Sequence, residues 1–135
     1  MSEQTVTTGE VVAAFLEACG VQAAFGVISI HNLPMLDALG RSAVIRFVPT
    51  RGEAGAVNMA DAYARTRGEL GVAFTSTGTG AGNAAGALVE AETAGTPLLH
   101  LTGQIDLPHL DRGRGYIHET KAQLGMLRSI SKAVY

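Results

Sequence analysis

Short apolar runs alternate along this chain with segments of helical periodicity, and that alternation restricts it to very few architectures. The runs at 21–27 (VQAAFGV), 43–48 (AVIRFV), 70–75 (LGVAFT) and 97–102 (PLLHLT) read as strands. Thr7-Thr8-Gly9-Glu10 has capping-box spacing. It opens a helix expected to bury Val11, Val12, Phe15 and Leu16 and to end at Gly20. Asn32-Leu33-Pro34 starts a short helix through Leu39, with proline in the first turn, where a missing N–H costs nothing. A third helix is expected over 52–67, with Ala56, Val57, Ala60, Tyr63 and Ala64 on one face. Further helices are expected over 80–94 and 120–127, and a fifth strand begins within 131–135. Most of these strands are apolar on both faces, so they belong in a parallel sheet covered by helices on both sides. The expected fold is therefore a three-layer α/β/α, doubly wound domain over residues 1–135. Because the chain stops on a strand, the expectation is a fragment of a longer protein, truncated before the domain's last helix and strand.

Charge and composition exclude several roles. A formal charge of −2 and a pI near 6.0 leave no basic patch to release counterions from nucleic acid or to grip an acidic membrane. The longest uncharged stretch, 70–89, is half Gly, Ser, Thr and Asn, which is costly in lipid. One cysteine excludes an intrachain disulfide and fits a reducing, cytoplasmic setting. Alanine and glycine make up more than a quarter of the chain, and only 16% is charged. So little polar cover points to a large buried interface.

In such sheets, ligands bind beyond the carboxyl ends of the strands. The four loops there carry Gly26 to Asn32, Pro49-Thr50-Arg51-Gly52-Glu53, the glycine-rich turn Thr75 to Asn83, and Thr102-Gly103-Gln104. Gly80-x-Gly82-x-x-Ala85 satisfies a loose dinucleotide fingerprint, but it lies in the third βα unit, and small residues also serve tight helix–sheet packing. No Gly-Lys-Ser/Thr follows, which excludes a P-loop. Glu53 lies in the first turn of a helix, where the dipole favours negative charge. Its neighbours Gly52, Ala54, Gly55 and Ala56 are all small, as if something approaches closely. A carboxylate there can share a proton with a heterocyclic nitrogen. His31, His100, His109 and His118 include no i, i+4 pair beside an acid, so no metal site is expected. His100 reads as a satisfied core residue, Cys19 as a buried structural thiol and Tyr63 as a packing residue. The charged loop 106–119 reads as solvated surface.

Four segments, in order, resemble one family. The run Arg51-Gly52-Glu53-Ala54-Gly55-Ala56-Val57-Asn58-Met59-Ala60-Asp61-Ala62-Tyr63-Ala64-Arg65 resembles the R-x-E-x-x-A-x-x-x-A-x-G-Y-A-R helix of thiamine diphosphate enzymes. More narrowly, it resembles the N-terminal pyrimidine-binding domain of the acetolactate synthase, pyruvate oxidase and benzoylformate decarboxylase group. Phe25-Gly26-Val27-Ile28-Ser29 with Leu33-Pro34 resembles F-G-V-P-G…L-P. The stretches 75–83 and 97–104 resemble T-S-G-P-G-x-x-N and P-L-L-x-I-T-G-Q. The resemblance implies that Glu53 is catalytic, hydrogen-bonding N1′ of the aminopyrimidine and favouring the imino form that takes the thiazolium C2 proton. It also implies that Ile28, Ser76 and Asn83 line the pyrimidine pocket, and that Ser29, His31 and Gln104 face a 2-oxo acid substrate.

Ile28-Ser29 and Thr79 depart from the family's Pro-Gly and Pro, which reshapes the pocket mouth. The family's G-D-G…N-N motif, which holds the diphosphate through Mg²⁺ in a C-terminal domain, is absent from this sequence. The resemblance therefore implies a second subunit, in a homodimer or tetramer, or a missing C-terminal domain, with this chain inactive alone. Two alternatives stay open: a non-catalytic partner subunit of the same fold, and a dinucleotide-binding domain using Gly80 to Ala85.

Overall fold

Helix α1 (Thr8–Ala18) begins where its capping box places it. In the computed structural model, which describes residues 5–135, the Glu10 amide donates to the Thr7 hydroxyl. The Thr7 amide in turn donates to the Glu10 carboxylate at 2.8 Å. This exchange satisfies amides that the first turn leaves bare, and it holds the Glu10 carboxyl below the usual range. The face turned inward differs from the one expected. Gly9, Ala13 and Leu16 are buried and Val12 packs beside them, whereas Val11 and Phe15 are 56% and 58% exposed. The cause is the close approach of α2 (Leu33–Gly40): a Cβ on Gly9 would lie 2.5 Å from the Pro34 carbonyl oxygen. Small residues make that contact, and the bulkier side chains are turned outward.

The sheet contains β1 (Ala23–Gly26), β2 (Arg46–Pro49), β3 (Gly71–Thr75) and β4 (Leu98–Thr102), in the order β2-β1-β3-β4 and all parallel. Phe25 lies opposite both Val48 and Ala73, and Ala73 opposite His100. Successive side chains point to opposite faces. Ala24, Val72 and Phe74 accordingly join Leu16 and Leu39 on the α1–α2 side. Phe25 and Ala73 join Val57, Ala60 and Ala84 from α3 (Glu53–Arg67) and α4 (Thr79–Thr93) on the other. The expected three-layer, doubly wound architecture is the one observed. β3 is buried at every residue, while β2, at the sheet edge, is half exposed.

Beyond β4, a 3₁₀ turn (Leu107–His109) and α5 (Gln123–Arg128) complete the described chain. The charged loop between them is ordered by its own contacts. The Glu119 carboxylate accepts from the Gly113 and Tyr116 amides, Tyr116 donates its hydroxyl to Asp106 at 3.0 Å, and the His109 and Tyr116 rings stack at 4.1 Å. Residues 131–135 form no strand, contrary to expectation. A strand needs a ladder partner, and none of the described strands runs beside them. Val134 instead packs against the α3–α4 core.

Candidate active site

Gly52, extended at φ −163°, ends the loop after β2 and caps α3, so Glu53 is the first helical residue. The Glu53 side chain is half-buried and crosses to the start of α4. Its Oε2 accepts from Asn83 Nδ2 at 3.3 Å. A Cβ on Gly80 would lie 2.8 Å from Glu53 Oε1 and 2.6 Å from the Ser76 Cβ. The carboxylate thus lies against the positive end of the α4 dipole, at a point where only glycine leaves room.

Ser76 extends the site toward β1. Its hydroxyl is 2.8 Å from that of Ser29, and its carbonyl accepts from the Thr75 and Thr102 hydroxyls. Asn32, fully buried, staples this region together. Its Nδ2 donates to the carbonyls of Val27 and Thr75, and its Oδ1 accepts from the Ser29 amide. The loops after β1 and β3 are therefore locked in one arrangement.

A second staple closes the other side. Gln123, buried at the start of α5, accepts from the Thr77 hydroxyl at 2.7 Å and the Gly78 amide at 2.6 Å. Its Nε2 donates to the Gly103 carbonyl at 2.9 Å. Gly78 is left-handed at φ +57°, and a Cβ there would collide with the His118 carbonyl oxygen. His31 lies beside Gly103, where a Cβ would come within 2.7 Å of the His31 carbonyl oxygen. The His31 amide donates to Ser29 Oγ at 3.4 Å, and its ring meets that of His118 edge-on at 5.5 Å. Buried His31 Nε2 has no hydrogen-bond partner.

Of the residues singled out in the sequence, Glu53, Asn83, Ser76 and Ser29 form one connected cluster, with His31 adjoining. Two stand apart. Ile28 is 60% exposed and lines an open groove of about 520 Å³ with Leu33, Pro34, Leu36, Asp37 and Phe47, away from Glu53. Gln104 is exposed and accepts from the amide of its own neighbour, Ile105. His100 is the satisfied core residue expected: its Nε2 is 2.8 Å from the Thr75 hydroxyl, and burial pushes its pKa down to about 4. Tyr63 packs on Phe25 with rings 5.7 Å apart and donates its hydroxyl to Glu69. Cys19 is exposed, not buried, because it caps α1 after the last helical residue. Sequence reasoning missed the staples Asn32 and Gln123. Their only signal is a primary amide among apolar neighbours. Among the described residues, no three His, Cys, Asp or Glu side chains gather as a metal site, and no helix is long and apolar enough to cross a membrane.

Comparison with known proteins identifies the family. Residues 6–126 match the model for the thiamine pyrophosphate enzyme, N-terminal TPP binding domain. A probable 2-ketoarginine decarboxylase of Pseudomonas aeruginosa is 38% identical over 129 residues, 96% of this chain and 23% of that protein. Human 2-hydroxyacyl-CoA lyase 2 is 39% identical over 124 residues, 92% of this chain and 19% of that one. An acetolactate synthase of Mycobacterium avium is 36% identical over 102 residues, 76% of this chain and 16% of its own length. The thiamine diphosphate-dependent 4-hydroxybenzoylformate decarboxylase of Rhodococcus jostii RHA1 superposes with a TM-score of 0.83 at 27% identity, covering 94% of this chain and 23% of that one. This chain spans less than a quarter of the length of these relatives. It belongs to the thiamine pyrophosphate enzymes, as an N-terminal TPP-binding domain of the acetolactate synthase- and decarboxylase-like kind.

Proposed function

We propose that residues 1–135 are the pyrimidine-binding part of a longer cytoplasmic enzyme that decarboxylates or carboligates 2-oxo acids, with Glu53 as its catalytic carboxylate. The observation that carries this reading is the placement of Glu53 against Gly80, with Oε2 held by Asn83. A carboxylate fixed at a helix start beside a residue without a side chain suits the edge of a flat heterocycle. The Ser29–Ser76 hydroxyl pair offers polar contacts beside it. Glu53 would share a proton with the ring nitrogen N1′, Ser76 and Asn83 would frame the ring, and Ser29, His31 and Gln104 would face the substrate. When bound, thiamine diphosphate supplies the electron sink for carbon–carbon cleavage. Asn83 would keep the carboxylate directed across the cleft, and the Asn32 staple would keep Ser29 and Ser76 together.

The diphosphate and Mg²⁺ are assigned to a separate domain carrying the G-D-G…N-N motif, whether in a C-terminal region or in the second subunit of a homodimer or tetramer. This chain alone is then inactive. The dinucleotide reading of Gly80 to Ala85 fares worse, because a phosphate at the start of α4 would meet the Glu53 carboxylate. Fluorescence titration of the full-length protein with thiamine diphosphate and with NAD tests the choice. Saturable binding of the first alone supports the reading, and binding of NAD alone overturns it.

A further inference from the structure

Helix α4 carries the residues that meet Glu53, yet it has no cap of its own. Its N-cap position is Gly78, which has no side chain to accept from the first-turn amides, where Ser, Thr, Asp or Asn ordinarily serves. Backbone groups start the helix instead: Gly80 N donates to the Thr77 carbonyl and Gly82 N to the Gly78 carbonyl. With glycine at both 78 and 80, little within the turn restricts its path. The constraint comes from another element. Gln123 Oε1 accepts from the Thr77 hydroxyl and from the Gly78 amide, and these are the two residues whose carbonyls start α4. Gln123 can hold them because its own backbone is fixed. It opens α5, and Leu127, one turn on, is buried in the α3–α4 core. Its Nε2 is engaged by the Gly103 carbonyl, so both ends of this buried amide are bonded.

From this cap the path to the carboxylate is short. Gly80, bonded to the Thr77 carbonyl, is the residue against which Glu53 Oε1 lies. Asn83, on the next turn of the same helix, donates to Glu53 Oε2. A shift at the start of α4 therefore moves both groups that fix the Glu53 side chain. We propose that Gln123 is a positioning residue for Glu53: as the N-cap of α4, supplied from α5, it sets where Gly80 and Asn83 stand and, through them, where the carboxylate points. Oε1 carries the effect, and the Nε2 bond to Gly103 keeps the amide turned the right way. The consequence for catalysis rests on the Glu53 reading, whereas the placement of the side chain is measurable without cofactor.

The test uses the full-length protein and the variants Gln123→Leu, Gln123→Glu, Thr77→Val and Leu39→Ala. Gln123→Leu removes all three bonds, whereas Gln123→Glu keeps the acceptor and loses only the donor to Gly103. Thr77→Val removes one bond to Oε1 at nearly constant volume, so it carries the test if Gln123→Leu does not fold. Leu39→Ala, in the core on the other face of the sheet, controls for lost stability alone. In the cofactor-free protein, the side-chain amide resonances of Asn83 should shift in Gln123→Leu and Thr77→Val and stay in place in Gln123→Glu and Leu39→Ala. With thiamine diphosphate bound, C2-proton exchange should slow about tenfold in Gln123→Leu and about threefold in Thr77→Val, the effect of slightly misplacing a reacting group. It should keep its rate in Gln123→Glu, the conservative rescue. Unchanged Asn83 resonances in the folded Gln123→Leu or Thr77→Val protein, or equal slowing in Leu39→Ala, overturns the proposal. The underlying reading is scored separately. Undiminished exchange in Glu53→Gln removes that reading, and the Asn83 resonances still decide whether Gln123 places the carboxylate.

Discussion

Gly80 lies so close to Glu53 that a Cβ on the glycine would be 2.8 Å from the carboxylate oxygen Oε1, and Gly82, one position beyond its neighbour, meets nothing within 4 Å. Two glycines on the same helix therefore do different things. Replacing Gly82 by Ala should be neutral or stabilising by up to about 1 kcal/mol, because alanine is the better helix former. Replacing Gly80 by Ala forces the Ser76 and Glu53 side chains apart, and the overpacking should cost about 1–3 kcal/mol and displace the carboxylate. Urea unfolding of the two variants measures the contrast, and equal stabilities would show that Glu53 does not rest on Gly80.

Gln123 ties the glycine-rich turn to the loop after β4 through three hydrogen bonds. Gln123→Leu keeps the volume but strands the Gly78 amide, the Thr77 hydroxyl and the Gly103 carbonyl. The expected destabilisation is about 2–4 kcal/mol, since buried groups left unpaired carry most of their desolvation cost. Hydrogen exchange should locate the loss. Protection should fall at Gly78 while the amides of β3, on the far side of the Asn32 staple, keep theirs.

His100 makes stability depend on pH in a definite direction. Its pKa falls from 6.5 to about 4 through burial beside Thr75. The unfolded chain therefore takes up a proton as pH falls below 6.5, while the folded chain stays neutral until near 4. Stability present above pH 6.5 is lost as pH falls through this window, by on the order of 2–3 kcal/mol in all. His100→Gln preserves a donor to the Thr75 hydroxyl and removes the titration. Its denaturation curve should be flatter between pH 4 and 6.5 than the wild type's, and an identical slope in both proteins would refute the assignment.

The β runs and helix caps were legible because they depend on neighbours in sequence. The capping box at Thr7 and Glu10, the strand at residues 71–75 and the small-residue helix after Glu53 all lie where local chemistry puts them. The inward face of α1 was not legible. Val11 and Phe15 are the larger apolar groups, but the Pro34 carbonyl selects Gly9 by proximity, and that contact spans 25 positions. The same holds at the site. The resemblance singled out Glu53 and Asn83, which meet across 30 residues, whereas Asn32 acts on the Thr75 carbonyl and Gln123 on the Gly78 amide, 43 and 45 positions away. A backbone partner leaves no mark in the sequence of the residue that binds it. Ile28 and Gln104 show the converse: a position in a motif does not by itself turn a side chain inward.

The central claim is that Glu53 exchanges a proton with the pyrimidine of thiamine diphosphate. Its most direct measurement is the hydrogen–deuterium exchange rate at C2 of the cofactor bound to the full-length enzyme, in wild type and in Glu53→Gln, followed by quenched-flow proton NMR. Glutamine keeps the shape, and its carbonyl oxygen still accepts from Asn83, so the fold and its unfolding midpoint should be unchanged. The account predicts that exchange slows at least about 100-fold in the variant, the scale of losing one acid–base group. Undiminished exchange in a folded, cofactor-bound Glu53→Gln protein would contradict it.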